Sequence, residues 1–150
     1  MLKKLAICLL TGGLLMAGCS SETTEKEKQY TLEEAADNGD VIVNEEGKVE
    51  NLDKLLRFIE DVQESKESQV TLSNFFNLQV SLNELKFDGD VLFYSLKNGE
   101  GEETVNTTCG SIEQKSGSIS LQECSGESEV IGLVQVSEYQ INKAKASMEN

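Results

Sequence analysis

The side chains that could do chemistry in this sequence are mainly carboxylates. Its 150 residues contain 27 Asp and Glu, 13 Lys and Arg and no His. Without an imidazole the chain has no His-based catalytic triad and no His-ligated zinc site. The formal net charge of −14 also argues against nucleic-acid binding, because phosphates are neutralised by a basic surface. Acidic groups, hydroxyls and thiols therefore carry whatever chemistry the protein performs.

Two acidic segments have the residue types that bind Ca²⁺ or hydrolyse glycosides. One contains Asp88 and Asp90, and the other contains Glu100, Glu102 and Glu103. Calcium prefers oxygen ligands, but neither segment has the fixed ligand spacing of an EF-hand. Glycoside hydrolysis needs two carboxylates at a defined separation, and in a chain with 27 acidic residues the sequence alone does not identify such a pair. We therefore favour solvated turn residues, and the sequence predicts no metal and no cofactor.

The N-terminal segment resembles the signal of a bacterial lipoprotein. A basic start at Lys3-Lys4 is followed by an apolar stretch and then by Met16-Ala17-Gly18-Cys19. This order is typical of a signal peptide over residues 1–18, and its last residues resemble a lipobox. The resemblance implies a diacylglyceryl group on Cys19 that anchors the protein to the outer, extracytoplasmic face of the cell membrane. The alternative is an ordinary secretory signal in which Cys19 is an incidental thiol.

Cys109 and Cys124 remain after Cys8 leaves with the signal peptide and Cys19 takes the lipid. An even pair in an exported protein favours a structural disulfide. Closing a loop of about fifteen residues stabilises a fold by roughly 3 kcal/mol. The alternative is a redox-active or metal-binding pair. The spacing differs from Cys-x-x-Cys, however, and the remaining chain offers no other soft ligand.

The chain divides into three parts after the signal peptide. Residues 19–29 are polar beyond the lipidated Cys and predict a disordered tether. Residues 30–137 have the apolar patterns of a single α+β domain. Residues 138–150 are polar again and predict a C-terminal tail, either a frayed helix or disordered.

Two helices are predicted at the start of the domain. Thr31 and Glu34 form a capping-box pattern for a short helix that Asn38-Gly39 would end. Apolar residues at helical spacing over residues 52–64 predict an amphipathic helix with Asn51 as its N-cap. A short strand at residues 40–43 lies between them.

The rest of the domain is predicted to be antiparallel sheet. Apolar residues alternate with polar ones from residue 69 onward. The nearly apolar segment 91–96 predicts a central strand buried on both faces, and residues 104–115 predict one continuous strand. We therefore expect five to six antiparallel strands with one amphipathic helix packed on a face. The disulfide would join two neighbouring strands near the end of this sheet.

Several short motifs occur in an order that resembles a family of small Gram-positive lipoproteins known as a domain of unknown function. They span residues 39–136 and comprise Asp40-Val41-Ile42-Val43, Gly47, Asn51-Leu52-Asp53, Phe58, Phe87-Asp88-Gly89, Thr107-Thr108-Cys109 and Cys124. Family members often have an acidic Gly-Asp-Pro turn after the helix, whereas this chain has Ser73-Asn74-Phe75-Phe76-Asn77. The resemblance therefore supports the fold and the location and implies no activity.

Phe75 and Phe76 are adjacent aromatics in a strand pattern, where neighbouring side chains point to opposite faces. If one ring is buried, the other is expected to be exposed, and the two are candidates for contact with a partner. We favour the alternative that both rings pack locally against the core. We predict a non-enzymatic binding module at the envelope whose partner is a cationic component or protein. A small carboxylate-based envelope hydrolase is the alternative.

Overall fold

The computed structural model describes residues 29–149, which form an α+β fold of two sheets and three helices. The predicted fold class is thus confirmed. The predicted signal peptide, Cys19 and most of the predicted tether lie outside the described residues. In chain order the elements are α1 (Leu32–Asn38), β1 (Val41–Val43), β2 (Val49–Glu50), α2 (Leu52–Gln63), β3 (Ser68–Phe76), β4 (Gln79–Phe87), β5 (Leu92–Asn98), β6 (Glu103–Cys109), β7 (Ser111–Lys115), β8 (Ser118–Gln122), β9 (Val130–Gln135) and α3 (Glu138–Met148).

The first sheet has six strands in the order β2-β1-β3-β4-β5-β6. Its strands from β3 to β6 form an antiparallel meander, as predicted. The expectation of a purely antiparallel sheet is wrong, because β1 pairs in parallel with β3. Parallel neighbours need a crossover connection, and here α2 supplies it. The short β1 pairs only with residues 72–74 of β3, so no strand within residues 29–149 pairs with the first half of β3 on that side.

The predicted amphipathic helix lies against the inner face of this sheet as α2. Its buried residues are Leu52, Leu55, Leu56, Phe58 and Ile59. They form one hydrophobic core with inward residues of β3, β4 and β5, among them Leu72, Leu85 and Leu92. Asn51 occupies the predicted N-cap position of α2, but it makes no side-chain capping bond: the residue is left-handed, and its side-chain amide donates to the Asp40 carbonyl oxygen at 2.7 Å.

The outer face of the first sheet is only partly covered. The predicted capping box between Thr31 and Glu34 is present, and Gly39 ends α1 in the left-handed conformation. Beneath this short helix the outward residues Ile42, Ser73 and Leu82 are buried. A helix of seven residues is only about 10 Å long. Among the described residues, this helix therefore leaves outward side chains of β5 and β6 such as Phe93 and Asn106 exposed.

The second sheet was not predicted as a separate unit. The expected strand over residues 104–115 breaks at Gly110, and β7 pairs with β8 and β9 rather than with the first sheet. A Cβ at Gly110 would approach the Cβ of Glu123 to 3.0 Å, so the chain is closely packed where it leaves the first sheet. Apolar residues of the second sheet, such as Ile119 and Leu121, complete the core around α2.

The predicted C-terminal tail is an ordered helix that belongs to the domain. Ser137 and Gln140 form a capping box at the start of α3, a pattern that the sequence contains and that our prediction missed. Ile141 and Ala144 are buried and join the hydrophobic core beside α2. Of the two alternatives, the structure shows a helix over Glu138–Met148, and these two side chains attach it to the core.

Candidate functional site

A cleft of about 820 Å³ lies on the open outer face of the first sheet. Outward residues of β3, β4 and β5 form its floor, because successive strand residues point to opposite faces. The end of α1 and the polar side of α2 form its walls through Asn38, Lys54 and Arg57. The floor residues are Gln69, Thr71, Glu84, Lys86, Phe93 and Ser95.

Phe93 is the aromatic residue on this floor. It pairs across the strands with Lys86 on β4 and with Thr108 on β6, and its side chain is 39% exposed. The prediction that residues 91–96 are buried on both faces is therefore wrong. Leu92 and Tyr94 point into the core, but nothing in the described part of the chain covers the Phe93 ring fully. An apolar ring thus lies among charged and amide side chains.

Each of the four carboxylates that line the cleft accepts a side-chain hydrogen bond. Asp61 accepts from the Ser68 hydroxyl at 2.7 Å. Glu84 accepts from Ser95 at 3.2 Å and from Lys97 at 2.8 Å. Glu103 accepts from the Asn106 amide, and Asp40 accepts from Tyr30 and Ser73. The carboxylates are thus held in place by donors on neighbouring residues.

Asp40 is the buried member of this set. The Tyr30 hydroxyl donates to it at 2.7 Å, the Ser73 hydroxyl donates to the same oxygen, and the Asn38 amide donates to the Tyr30 oxygen at 2.8 Å. Burial raises the pKa of the Tyr30 phenol above its ordinary value, and the adjacent Asp40 carboxylate acts in the same direction. This network connects Asp40, at the end of the cleft, to Ser73 on β3.

Three cationic side chains line the same cleft, although the chain as a whole is acidic. The Lys54 ammonium donates to the Gly39 carbonyl oxygen at 2.5 Å, and Arg57 donates to the carbonyl oxygen of Met148 at 3.4 Å. Lys86 is exposed on the floor beside Phe93. The cleft therefore combines both signs of charge with neutral polar groups.

The two acidic segments considered for Ca²⁺ lie at opposite ends of β5. Asp88 and Asp90 precede this strand and Glu100 follows it, so the seven-residue strand separates them by about 20 Å. The Asp88 carboxylate accepts the backbone N–H groups of Asp90 and Val91 at 3.0 and 2.8 Å. These backbone bonds lower the pKa of Asp88. Within residues 29–149, no three acidic or Cys side chains come together as metal ligands.

The structure contains the disulfide between Cys109 and Cys124. We expected this bond to join two neighbouring strands of one sheet, and that expectation is wrong. Cys109 ends β6 in the first sheet, whereas Cys124 follows β8 in the second. Backbone bonds run beside it from Gly110 to Gln122 and from Ser125 to Thr108. The bond therefore connects the two sheets where the chain passes between them.

Phe75 and Phe76 are the last residues of β3, not part of a turn. Phe75 is half-buried and Phe76 is 58% exposed. Both line a groove of about 530 Å³ with Leu32, Leu78 and Val80. This groove is distinct from the polar cleft, because it lies at the end of the β3–β4 hairpin. The proposed contact role of the two rings stays a prediction.

Comparison with family models, curated proteins and solved structures found no match to this chain. The resemblance to a lipoprotein family stays a prediction, as does the lipid on Cys19. None of the helices in residues 29–149 combines the length and the apolarity that crossing a bilayer requires. A functional conclusion therefore depends on the geometry of the cleft and on the motifs of the sequence.

Proposed function

We propose that this protein is a lipid-anchored, non-enzymatic binding module on the extracytoplasmic face of the membrane, and that the polar cleft holds its ligand. The observation that carries the proposal is the open sheet face around Phe93, where an exposed ring lies among fixed polar groups. Ligand sites combine apolar surface with a few positioned polar groups. The lipobox-like segment ending at Cys19 supports the location.

The hydrogen bonds of the four cleft carboxylates favour binding over the alternative of a small hydrolase. Hydrolysis of a glycosidic bond needs one carboxyl that carries a proton and a second that is free to act as nucleophile or base. Here Asp40, Asp61, Glu84 and Glu103 all accept hydrogen bonds from neighbouring side chains. Bonds to neighbouring side chains occupy these oxygens, which supports a role for them in shaping the cleft.

The chemistry of the cleft fits a neutral polyhydroxylated ligand such as a glycan strand. The Phe93 ring offers an apolar surface for the C–H face of a sugar, and Gln69, Thr71 and Asn106 offer amide and hydroxyl groups. The cationic partner expected from the net charge does not fit here, because Lys54, Arg57 and Lys86 line the cleft. Such a partner would bind the acidic surface elsewhere on the protein.

The test is titration of the purified protein with soluble wall-glycan fragments, followed by calorimetry or NMR. Phe93→Ala should weaken binding about tenfold or more, because the loss of one buried ring contact costs on the order of 1.5–3 kcal/mol. Val105→Ala is the matched control, since Val105 is 38% exposed on the neighbouring β6 but points to the other face. Equal weakening by both variants would contradict the proposed site.

A second measurement distinguishes binding from hydrolysis. Wild-type protein is incubated with the same fragments, and new reducing ends are counted over time. We expect the wild type to release no more reducing ends than the Glu84→Gln variant, because Glu84 is held by Ser95 and Lys97. Steady release of reducing ends that Glu84→Gln abolishes would replace the binding proposal by the hydrolase.

A further inference from the structure

Three large apolar side chains are exposed together at one end of the molecule, and we call them the apolar tip. Leu32 is 55% exposed, Phe76 58% and Leu78 94%. They surround the groove of about 530 Å³ described above. The acidic residues Glu45 and Glu46 line the same groove. The tip is therefore an apolar surface without cationic side chains among the residues that line it.

Leu78 occupies a backbone position that disfavours leucine. Asn77 and Leu78 form the two-residue turn between β3 and β4, with φ of 49° and 63°. Such a turn needs left-handed residues, and glycine is the usual choice for its second position. A leucine costs free energy there, since its Cβ crowds the backbone. A strained residue that also exposes its whole side chain indicates a functional role for that side chain.

The chain enters the fold beside this tip. The Gln29 amide donates to the Leu78 carbonyl oxygen at 3.2 Å, and the Tyr30 N–H donates to the Gly99 carbonyl oxygen at 2.7 Å. Cys19 lies ten residues before Gln29. Ten residues reach at most about 35 Å even when fully extended. A lipid on Cys19 would therefore keep the apolar tip close to the bilayer.

We propose that the apolar tip inserts into the interface of the membrane that holds the Cys19 lipid, and so orients the domain. This inference rests on the proposed anchor. Leu, Phe and other apolar side chains enter the boundary between headgroups and acyl chains. The contact is apolar rather than electrostatic, because Glu45 and Glu46 lie beside the tip. Insertion should therefore become weaker as the fraction of anionic lipid rises.

The experiment uses the chain from Cys19 onward, which contains every described residue of the fold. Its single free thiol is coupled to a maleimide lipid in phosphatidylcholine vesicles with brominated acyl chains. The protein has no Trp, so Leu78→Trp introduces one reporter. Val130→Trp is the control, because Val130 is also 55% exposed but lies near Cys124, at the other end of the first sheet. We expect bromine to quench the reporter at position 78 several-fold more strongly than the control.

Chemical coupling makes the result independent of whether cells lipidate Cys19, so failure of the anchor and failure of the inference are distinguishable. Equal quenching of the two reporters would overturn the inference. Leu78→Gly tests it with a variant that should fold at least as well, because glycine suits the left-handed turn. A Trp reporter placed by Phe76→Trp should be quenched less in the Leu78→Gly variant than in the chain that keeps Leu78. If the chain without the lipid forms a dimer and Leu78→Gly abolishes it, the apolar tip binds a second copy of the chain rather than the membrane.

Discussion

The Tyr30 hydroxyl donates a 2.7 Å hydrogen bond to the carboxylate of Asp40, which is 7% exposed. The bond joins Tyr30, just before the N-cap of α1, to Asp40, the residue that precedes β1. Ser73 donates to the same carboxylate oxygen from β3. Three segments far apart in sequence therefore meet at one acidic group, whose burial would be costly without these donors.

Removal of the Tyr30 hydroxyl should destabilise the protein. Tyr30→Phe leaves a buried carboxylate with one donor fewer, and we expect the free energy of unfolding to fall by about 1–3 kcal/mol. Urea denaturation followed by circular dichroism measures it. Tyr139→Phe is the control, because Tyr139 is 76% exposed. Equal effects of the two substitutions would show that the bond to Asp40 contributes nothing to stability.

Loss of the disulfide should have a larger effect. The bond closes a loop with a sequence separation of 15. Replacing Cys109 and Cys124 together by Ser should lower the free energy of unfolding by about 3 kcal/mol. Reduction of the wild type with dithiothreitol should produce a similar loss. Free thiols at both positions in protein exported by cells would contradict the assignment.

Acid should weaken the turn between β4 and β5. Backbone hydrogen bonds hold the pKa of Asp88 below its ordinary value of 3.8. The folded state therefore favours the ionised form. The resulting stabilisation is complete above the unfolded pKa and is lost as the pH falls through the lower, folded pKa.

The Asp88 prediction is tested by unfolding at pH 6 and at pH 3. Wild-type protein should lose more stability between these values than Asp88→Asn, which keeps an oxygen acceptor but does not titrate. Asp90→Asn removes the same charge two residues away and serves as the control. If Asp88→Asn and the wild type have the same pH dependence, the backbone bonds of Asp88 do not stabilise the fold.

Lipidation of Cys19 can be tested in cells. We expect a clickable fatty acid to label the wild type and not Cys19→Ala, and the wild type to stay with the membrane fraction. The reason is that two acyl chains on one residue give stable membrane binding, whereas one chain does not. Equal labelling of both proteins would refute the anchor.

Local patterns were sufficient to predict the first two helices. The capping box of Thr31 and Glu34 and the apolar spacing in α2 act within a few turns, so the sequence contains the whole signal. The break at Gly110 was missed because it depends on the pairing of β7 with β8 and β9, which lie later in the chain. The second sheet follows from this break and was missed with it.

The cleft was not predictable in the same way. Phe93 belongs to an apolar run that indicates burial on both faces, whereas its ring is 39% exposed on the outer face of the first sheet. The bond from Tyr30 to Asp40 spans α1, and the bond from Ser73 to Asp40 depends on the pairing of β1 with β3, which is distant in the sequence. Strand register places these residues together, and a single sequence carries no direct record of register.

The two edge strands of the first sheet, β2 and β6, affect how neighbouring copies of the protein interact when many of them are held on one membrane. β2 has only two residues, and Ser125 bonds to Thr107 and Thr108 on β6, leaving residues 103–106 of that strand open. Exposed edges pair with strands of neighbouring molecules unless they are short, covered or charged. Lipid anchoring would raise the local concentration in two dimensions, where such pairing begins. The short β2 and the partly covered β6, which carries Glu103 at its open end, therefore disfavour pairing between crowded neighbours at these two edges.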